Sequence, residues 1–465
     1  VAADWARRPG WAVAATVACV GIPPGPAAPG ATQVTPGDCA SAALVAFAVL
    51  LVAMGRARAP RGTLAVFAPL VVTLGVTTAC SADITAGMAG YLRDLQIFVL
   101  VPVAVVLLVR GRRDLAIVCS AVLGLGMAES CLGVWQSLTG TGASIGGRSV
   151  RAVGTFGAMD VMAMSVVAGF AILVLTAFAL VAPARGPLAV VAAIAGLCVP
   201  ALALALALSR GSWIALGAAA VLMMLIFDRW VAARVLACCA ALALVAAAPL
   251  GGGSQTVLAR SRSIAASVTS PDRSVSDRYN LWAAAQRIWE DNPLTGVGVK
   301  NFAAYRDTYA TIELSSGSET DDGVNGYVRQ PLLSPHNEYL LILSEQGVIG
   351  LAGFAALFGA ILRGLWTRRR VRDPFWLVGT AFMAFLLINF LYSDLGGPTC
   401  VLTAVLLGVA AARALGHEHG HEHGHEHGHE HDPEHGHEHG PGFRPVPSAP
   451  AAPPAPPVPV PRERR

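Results

Sequence analysis

Apolar runs of bilayer length recur along almost the whole chain, and this recurrence narrows the possible folds more than any single motif. They lie near residues 39–54, 62–79, 95–109, 115–138, 158–182, 188–208, 212–227, 231–249, 337–362, 374–391 and 398–413. A helix crosses the hydrocarbon core of a bilayer with about 20 apolar residues. In lipid only a helix or a closed barrel satisfies its own backbone. Composition agrees: 54% of the residues are hydrophobic and only 13% are charged, about half the charged share of a soluble domain, which is ~25%. A further run at 11–22 follows Arg7 and Arg8 and precedes a Pro/Gly-rich stretch, so it reads either as a first span or as the core of a signal peptide. The expected fold is an all-α polytopic membrane protein of about 12 transmembrane helices, or about 11 if residues 11–22 are a signal peptide.

Arginines orient the spans, because cytoplasmic loops carry the excess of basic residues. Arg56/Arg58/Arg61, Arg110/Arg112/Arg113, Arg185, Arg229/Arg234 and Arg368–Arg370 with Arg372 fall on alternate loops. All of them can therefore be cytoplasmic at once. The loops at 139–157, 209–211 and 250–335 then face outward. The expected organisation is N-terminal spans over 1–249, an extracytoplasmic loop over 250–335, C-terminal spans over 336–415 and a cytoplasmic tail over 416–465. In the long loop, Ser276 to Asn292 reads as a helix capped by Ser276 or Asp277 and stopped by Pro293. Leu281, Trp282, Ala285, Ile288 and Trp289 give it one apolar face, suited to lying at headgroup level.

Other features exclude functions rather than suggest them. The basic residues are scattered between apolar runs instead of clustered, which argues against nucleic acid as a partner. The nine cysteines lie in or beside apolar runs with no Cys-x-x-Cys pair, so they read as small hydrophobes. Lys300 is the only lysine, so arginine here is no mark of selection for phosphate. The tail repeats His-Glu-His-Gly from Gly416 to Gly440 and ends rich in Pro and Ala. It has nothing to bury and is expected to be disordered. His417, His419, His421 and His423 can bind metal ions loosely there. No metal site is expected in the rest of the chain, and no cofactor.

Outside the tail the chain has one histidine, His336, in Ser334-Pro335-His336-Asn337-Glu338. With Ser334 as N-cap and Pro335 at the first helical position, His336 sits in the first turn. The helix dipole there favours neutral imidazole, which can take a proton from a hydroxyl. An interfacial or capping histidine is the plainer alternative. Arg210 lies in the abrupt turn Ser209-Arg210-Gly211-Ser212, where a charge so near the bilayer core marks a functional candidate. Arg278 opens the loop helix, and Arg148 and Arg151 lie in the 139–157 loop. Guanidinium groups offer paired donors to phosphate oxygens; snorkelling to headgroups is the alternative. Glu345 lies inside an apolar run, on the same helix face as Glu338, and either orients an arginine or locks two helices. Glu129 and Asp394 raise the same question. Gly347, Gly350 and Gly353 read as a packing stripe, and Gly296 with Gly298 reads as a tight turn.

Four segments, in this order, resemble the O-antigen ligase and polymerase family of bacterial membrane glycan transferases. They are Arg151-Ala-Val-Gly-Thr-Phe-Gly157, Ser209-Arg210-Gly211-Ser212-Trp213, Asp277–Trp282 with Asn292–Gly298, and Pro335–Leu340 with Glu345–Gly350. The resemblance covers roughly residues 150–360; the first spans match only in hydropathy, and the His-rich tail has no counterpart. It implies a GT-C-like helical enzyme of the bacterial inner membrane, with its active site on the extracytoplasmic side. The donor would be a glycan on a polyprenyl diphosphate, and the acceptor a lipid, a protein or a growing polymer. Arg210 and Arg278 would hold the diphosphate, assisted by Arg151. His336 would be the base, Asn337 and Glu345 would support it, and no metal would be needed. A transporter or flippase is the competing reading, although such a protein places ionisable groups near the midplane; a metal-responsive protein acting through its tail is a third.

Overall fold

The computed structural model describes residues 8–23, 34–145, 149–157, 160, 162–181, 186–247, 273–310, 317–322, 326–331, 333–369 and 373–416. Arg148, Arg185, Arg370, Arg372 and the tail histidines lie outside the described residues, as does most of the first third of the long loop.

The N-terminal helices are α1 (Gly10–Val20), α2 (Pro36–Ala53), α3 (Thr63–Ala79), α4 (Ile84–Leu108) and α5 (Arg112–Thr139). Then come α6 (Ala163–Val181), α7 (Pro187–Leu206), α8 (Arg210–Phe227) and α9 (Arg229–Ala247). The loop helices are α10 (Arg273–Asp291) and α11 (Phe302–Tyr309), and α12 (Glu338–Thr367), α13 (Pro374–Asn389) and α14 (Thr399–Leu415) complete the chain. Seven of these helices (α2, α4–α8 and α12) are long and apolar enough to cross a membrane; α1, α3, α13 and α14 are shorter apolar helices. The architecture is helical, as expected, and a small sheet joins two of its loops.

Span α4 begins at Ile84 rather than near residue 95. Asp83 caps it, accepting from the Thr85 and Ala86 N–H groups at 2.8 and 3.2 Å. Its first turns carry Arg93 and Asp94, which hide a helix from a reading based on apolar runs. Arg93 is partnered by Asp38 of α2. Gln96 to Leu100 form a π-helical turn just before Pro102. The wider turn relieves the clash between a proline ring and the carbonyl four residues back.

Helix α14 is the centre of the bundle. Every residue of it except Arg413 is buried, as expected for a helix that is apolar all round. Helices α1, α4, α12 and α13 pack around it. Phe98 and Phe354 meet edge to face at 4.8 Å between α4 and α12. At the other extreme, α7 buries only Pro200, Ala203 and Leu204; its remaining apolar surface is what a lipid-facing helix presents. Six of the nine cysteines are likewise on the outside of the bundle, and only Cys119 and Cys400 are buried in it.

The basic loops gather at one end of the bundle. Arg110 donates to the carbonyl of Arg56 at 2.7 Å, Arg413 pairs with Asp373, and Arg112 lies 3.6 Å from the same carboxylate. The described parts of the long loop and of the 140–160 connection are at the other end, with the 80–83, 207–210 and 390–398 connections. There β1 (Ala143–Ile145), β2 (Ser149–Arg151), β3 (Gly317–Asp322) and β4 (Gly326–Pro331) form an antiparallel sheet in the order β2-β1-β3-β4. The strand β2 ends on Arg151, and β4 ends five residues before His336.

Candidate active site

The connection Phe390–Pro398, between α13 and α14, organises this end of the molecule. The N–H of Glu338 donates to the carbonyl of Phe390 at 2.9 Å. In return, the Glu338 carboxylate accepts from the N–H of Leu395 at 2.7 Å. Asn337 donates through Nδ2 to the carbonyl of Leu391 at 3.2 Å. These bonds hold the start of α12 and the loop as one unit.

His336 stands just outside α12. Its backbone is left-handed, with φ of 50°, and Asn337, not Ser334, caps the helix by accepting from the Leu340 N–H at 3.1 Å. The expected position in the first turn is thus corrected: an Asn side chain reaches the exposed N–H groups, while positive φ at His336 breaks the helix before it can start. His336 Nδ1 lies 3.2 Å from Asp394 Oδ1. The imidazole is 34% exposed and Asp394 21%. Burial pushes the Asp394 carboxyl up, but the hydrogen bond and charge of His336 outweigh it and hold the group below the usual carboxylate range. A carboxylate there suits the tautomer with its proton on Nδ1 and leaves the Nε2 lone pair to act as a base.

The arginines approach the same loop from other elements. Arg278 Nη1 donates to the Tyr392 carbonyl at 3.2 Å. Gly211, beside Arg210, packs on the same residue: a Cβ at this glycine would lie 3.1 Å from Tyr392 Cβ. Arg210 is the first residue of α8. The turn before it is tied by Ser209 to Ser212 (Oγ to Oγ, 3.0 Å) and by Trp213 Nε1 to the Leu204 carbonyl (2.8 Å). Arg151 Nε donates to the Ala207 carbonyl at 2.9 Å, and the N–H of Ala152 to that of Leu206 at 3.2 Å. The structure thus brings the segments of His336, Arg278, Arg210 and Arg151 into one continuous set of contacts, although 185 positions separate the first and last in sequence.

The Arg151 segment is anchored from below by α5. Glu129 accepts from the N–H and hydroxyl of Thr155, both at 2.8 Å. Gln136 accepts from the Gly154 N–H and donates to its carbonyl, again at 2.8 Å each. Glu129 is therefore a support for this loop. Asp160 packs against Gly397, whose φ is 65° and whose Cβ would fall 2.3 Å from Asp160 Oδ1. Burial raises the Asp160 carboxyl above its ordinary value.

Helix α10 begins at Arg273, so Ser276 and Asp277 are inside it rather than at its cap. Leu281, Ala285 and Ile288 are buried on its apolar face with Val297 and Phe302. Trp282 Nε1 donates to the Pro335 carbonyl at 2.8 Å, one residue before His336. Glu345 touches no arginine of this group in the hydrogen bonds described; Oε1 accepts from the N–H of Phe302 at 3.0 Å.

Asp394 and Glu338 are the residues that sequence reasoning undervalued. Nothing in the linear spacing of Asp394 and His336, 58 residues apart, announces a pair. A histidine backed by a carboxylate, with arginine-bearing segments meeting at the same loop, lies at one end of a multi-pass bundle of apolar helices. Residues 193–355 match the family model described as O-antigen ligase. Over these residues the chain is similar to that family, which supports glycan transfer in general terms. No curated protein matches the chain.

Proposed function

We propose that this protein transfers a glycan from a polyprenyl diphosphate to an acceptor hydroxyl on the outer face of the bacterial inner membrane. The observation that carries the reading is the His336–Asp394 pair beside the loop on which the Arg278 and Arg210 segments converge. His336 Nε2 takes the acceptor proton as the acceptor oxygen bonds to the anomeric carbon. The bond from that carbon to the diphosphate oxygen breaks, and its electron pair leaves with the lipid diphosphate. Arg210 and Arg278, helped by Arg151, hold the negative charge that develops. Asp394 keeps the imidazole oriented and stabilises the imidazolium once formed. Asn337 sets the backbone on which His336 is presented.

Five guanidinium donors per arginine are enough to balance a diphosphate without a metal ion. Transfer in liposomes is therefore expected to survive EDTA and to be lost in Arg210→Ala. EDTA inhibition that a divalent ion reverses would contradict the metal-free mechanism. About 12 helices span the membrane in this reading, with the arginine-rich end in the cytoplasm. The long loop and the site then face outward, and the His-rich tail is cytoplasmic. The family match does not favour the transporter reading.

A further inference from the structure

Helix α12 is broken about a third of the way along its length, at Gly347, and a segment of the long loop fills the break. Gly347 has φ of 60° and ψ of −163°, inside a helix that otherwise runs from Glu338 to Thr367. Such a break strands carbonyls on one side and N–H groups on the other. The turn Pro293–Gly298 meets both. The N–H groups of Val297 and Gly298 donate to the carbonyls of Ser344 and Glu345 at 3.1 and 2.7 Å. Those of Val348 and Ile349 donate to the carbonyls of Pro293 and Leu294 at 3.0 and 3.1 Å. The fit is close enough to forbid side chains: a Cβ at Gly296 would lie 2.3 Å from the Glu345 carbonyl carbon, and one at Gly347 would lie 2.3 Å from that of Leu294.

Glu345 closes this joint with its side chain. Its carboxylate accepts from Phe302 N–H at 3.0 Å, the residue that opens α11, after Lys300 has turned the backbone through a φ of 67°. The same turn docks on its far side: the N–H of Ala82 donates to the Val297 carbonyl at 3.1 Å, and Asn301 donates to Ser81 Oγ at 2.9 Å. The turn follows α10 within two residues. It therefore fixes one end of the helix that carries Arg278, which lies 13 residues away, about 20 Å at the helical rise. An error in seating the joint is carried along α10 to the guanidinium.

We propose that Glu345 is a positioning residue for Arg278: it locks the Pro293–Phe302 segment into the break of α12 and so sets where the Arg278 end of α10 lies. This rests on the reading that Arg278 holds the lipid diphosphate. A carboxylate that served only the stability of the bundle would affect every part of the site alike. A positioning carboxylate acts through one arginine, so its loss is felt only while that arginine is present.

Binding of farnesyl diphosphate to the full-length protein in detergent tests this. Arg278→Ala and Glu345→Ala should each weaken binding about tenfold, and the double variant should match Arg278→Ala to within about twofold. Arg151→Ala combined with Glu345→Ala should instead be additive. Glu345→Gln, which keeps an acceptor for Phe302, should bind within about threefold of wild type. Glu345→Asp draws the carboxylate back by one methylene and should show the same dependence on Arg278 in smaller size, which serves if Glu345→Ala does not fold. Equal weakening by Glu345→Ala with and without Arg278 overturns the inference and leaves the diphosphate reading standing, as does wild-type binding by Glu345→Ala. Wild-type binding by Arg278→Ala overturns both.

Discussion

A carboxylate 3.2 Å from His336 Nδ1 decides which imidazole nitrogen is left to act. Asp394→Asn changes almost no volume but removes the charge and blurs the choice of tautomer. Transfer is expected to fall by at least about tenfold in kcat, with donor KM little changed, because the loss falls on the transition state. An unchanged kcat would remove Asp394 from the mechanism. The pair also bears on stability. With its folded pKa held below its ordinary value, Asp394 stabilises the fold above the usual carboxylate range. That contribution is lost as pH falls through its folded pKa. Wild type should therefore lose more Tm than Asp394→Asn when pH is lowered below about 4, the ordinary aspartate range. His336 was legible from the sequence because it is the only histidine outside the tail. Asp394 was not, because Ser393-Asp394-Leu395-Gly396-Gly397 reads as an ordinary turn until the fold sets it beside the imidazole.

At the scale of elements, the glycines of α12 divide the work. The spacing Gly347, Gly350, Gly353 fits a packing stripe, and Gly353 does serve one: a Cβ there would lie 1.9 Å from Thr73 Oγ1 of α3. Gly350 makes room for the side chain of Gln346 in its own helix. Gly347 is a break, and spacing alone does not separate a break from a stripe. Its φ and ψ lie in a region that only glycine enters readily, and other residues pay about 1–3 kcal/mol for it. Gly347→Ala should destabilise the protein by more than that, since its Cβ meets Leu294 backbone, whereas Gly359→Ala, with open space around it, should change Tm little. Equal Tm values for the two variants would contradict the joint. The sequence did contain both halves of this joint as motifs, Asn292–Gly298 and Glu345–Gly350. What it lacked was any sign that one fills the other. The polar start of α4 was missed for a simpler reason: Arg93 and Asp94 interrupt an apolar run, and only their partners Asp38 and Gln346 show how they are accommodated.

For the whole molecule, the multi-pass helical character was legible because apolar length is a direct demand of the bilayer, and the arginine loops carry the proposed orientation. The loops of Arg56 and Arg110 meet at one end, and Arg112 and Arg413 meet there at Asp373. A cysteine at Leu333, beside His336, is expected to react with an impermeant thiol reagent in intact cells, and one at Arg58 only after lysis, each in a variant lacking the native cysteines. The reverse pattern would invert the topology. The sheet between two loops was not legible, because its strands are short and pair across long stretches of chain, Ser144 with Asp321.

The central claim is that His336 deprotonates the acceptor, and it is tested most directly with the purified protein in liposomes carrying a polyprenyl-diphosphate glycan and its acceptor. Release of polyprenyl diphosphate is followed for wild type and His336→Ala. The mechanism requires acceptor-dependent release by wild type and a fall of about two to four orders of magnitude in the variant, the usual range for a lost general base. Release by His336→Ala at the wild-type rate would place the base elsewhere.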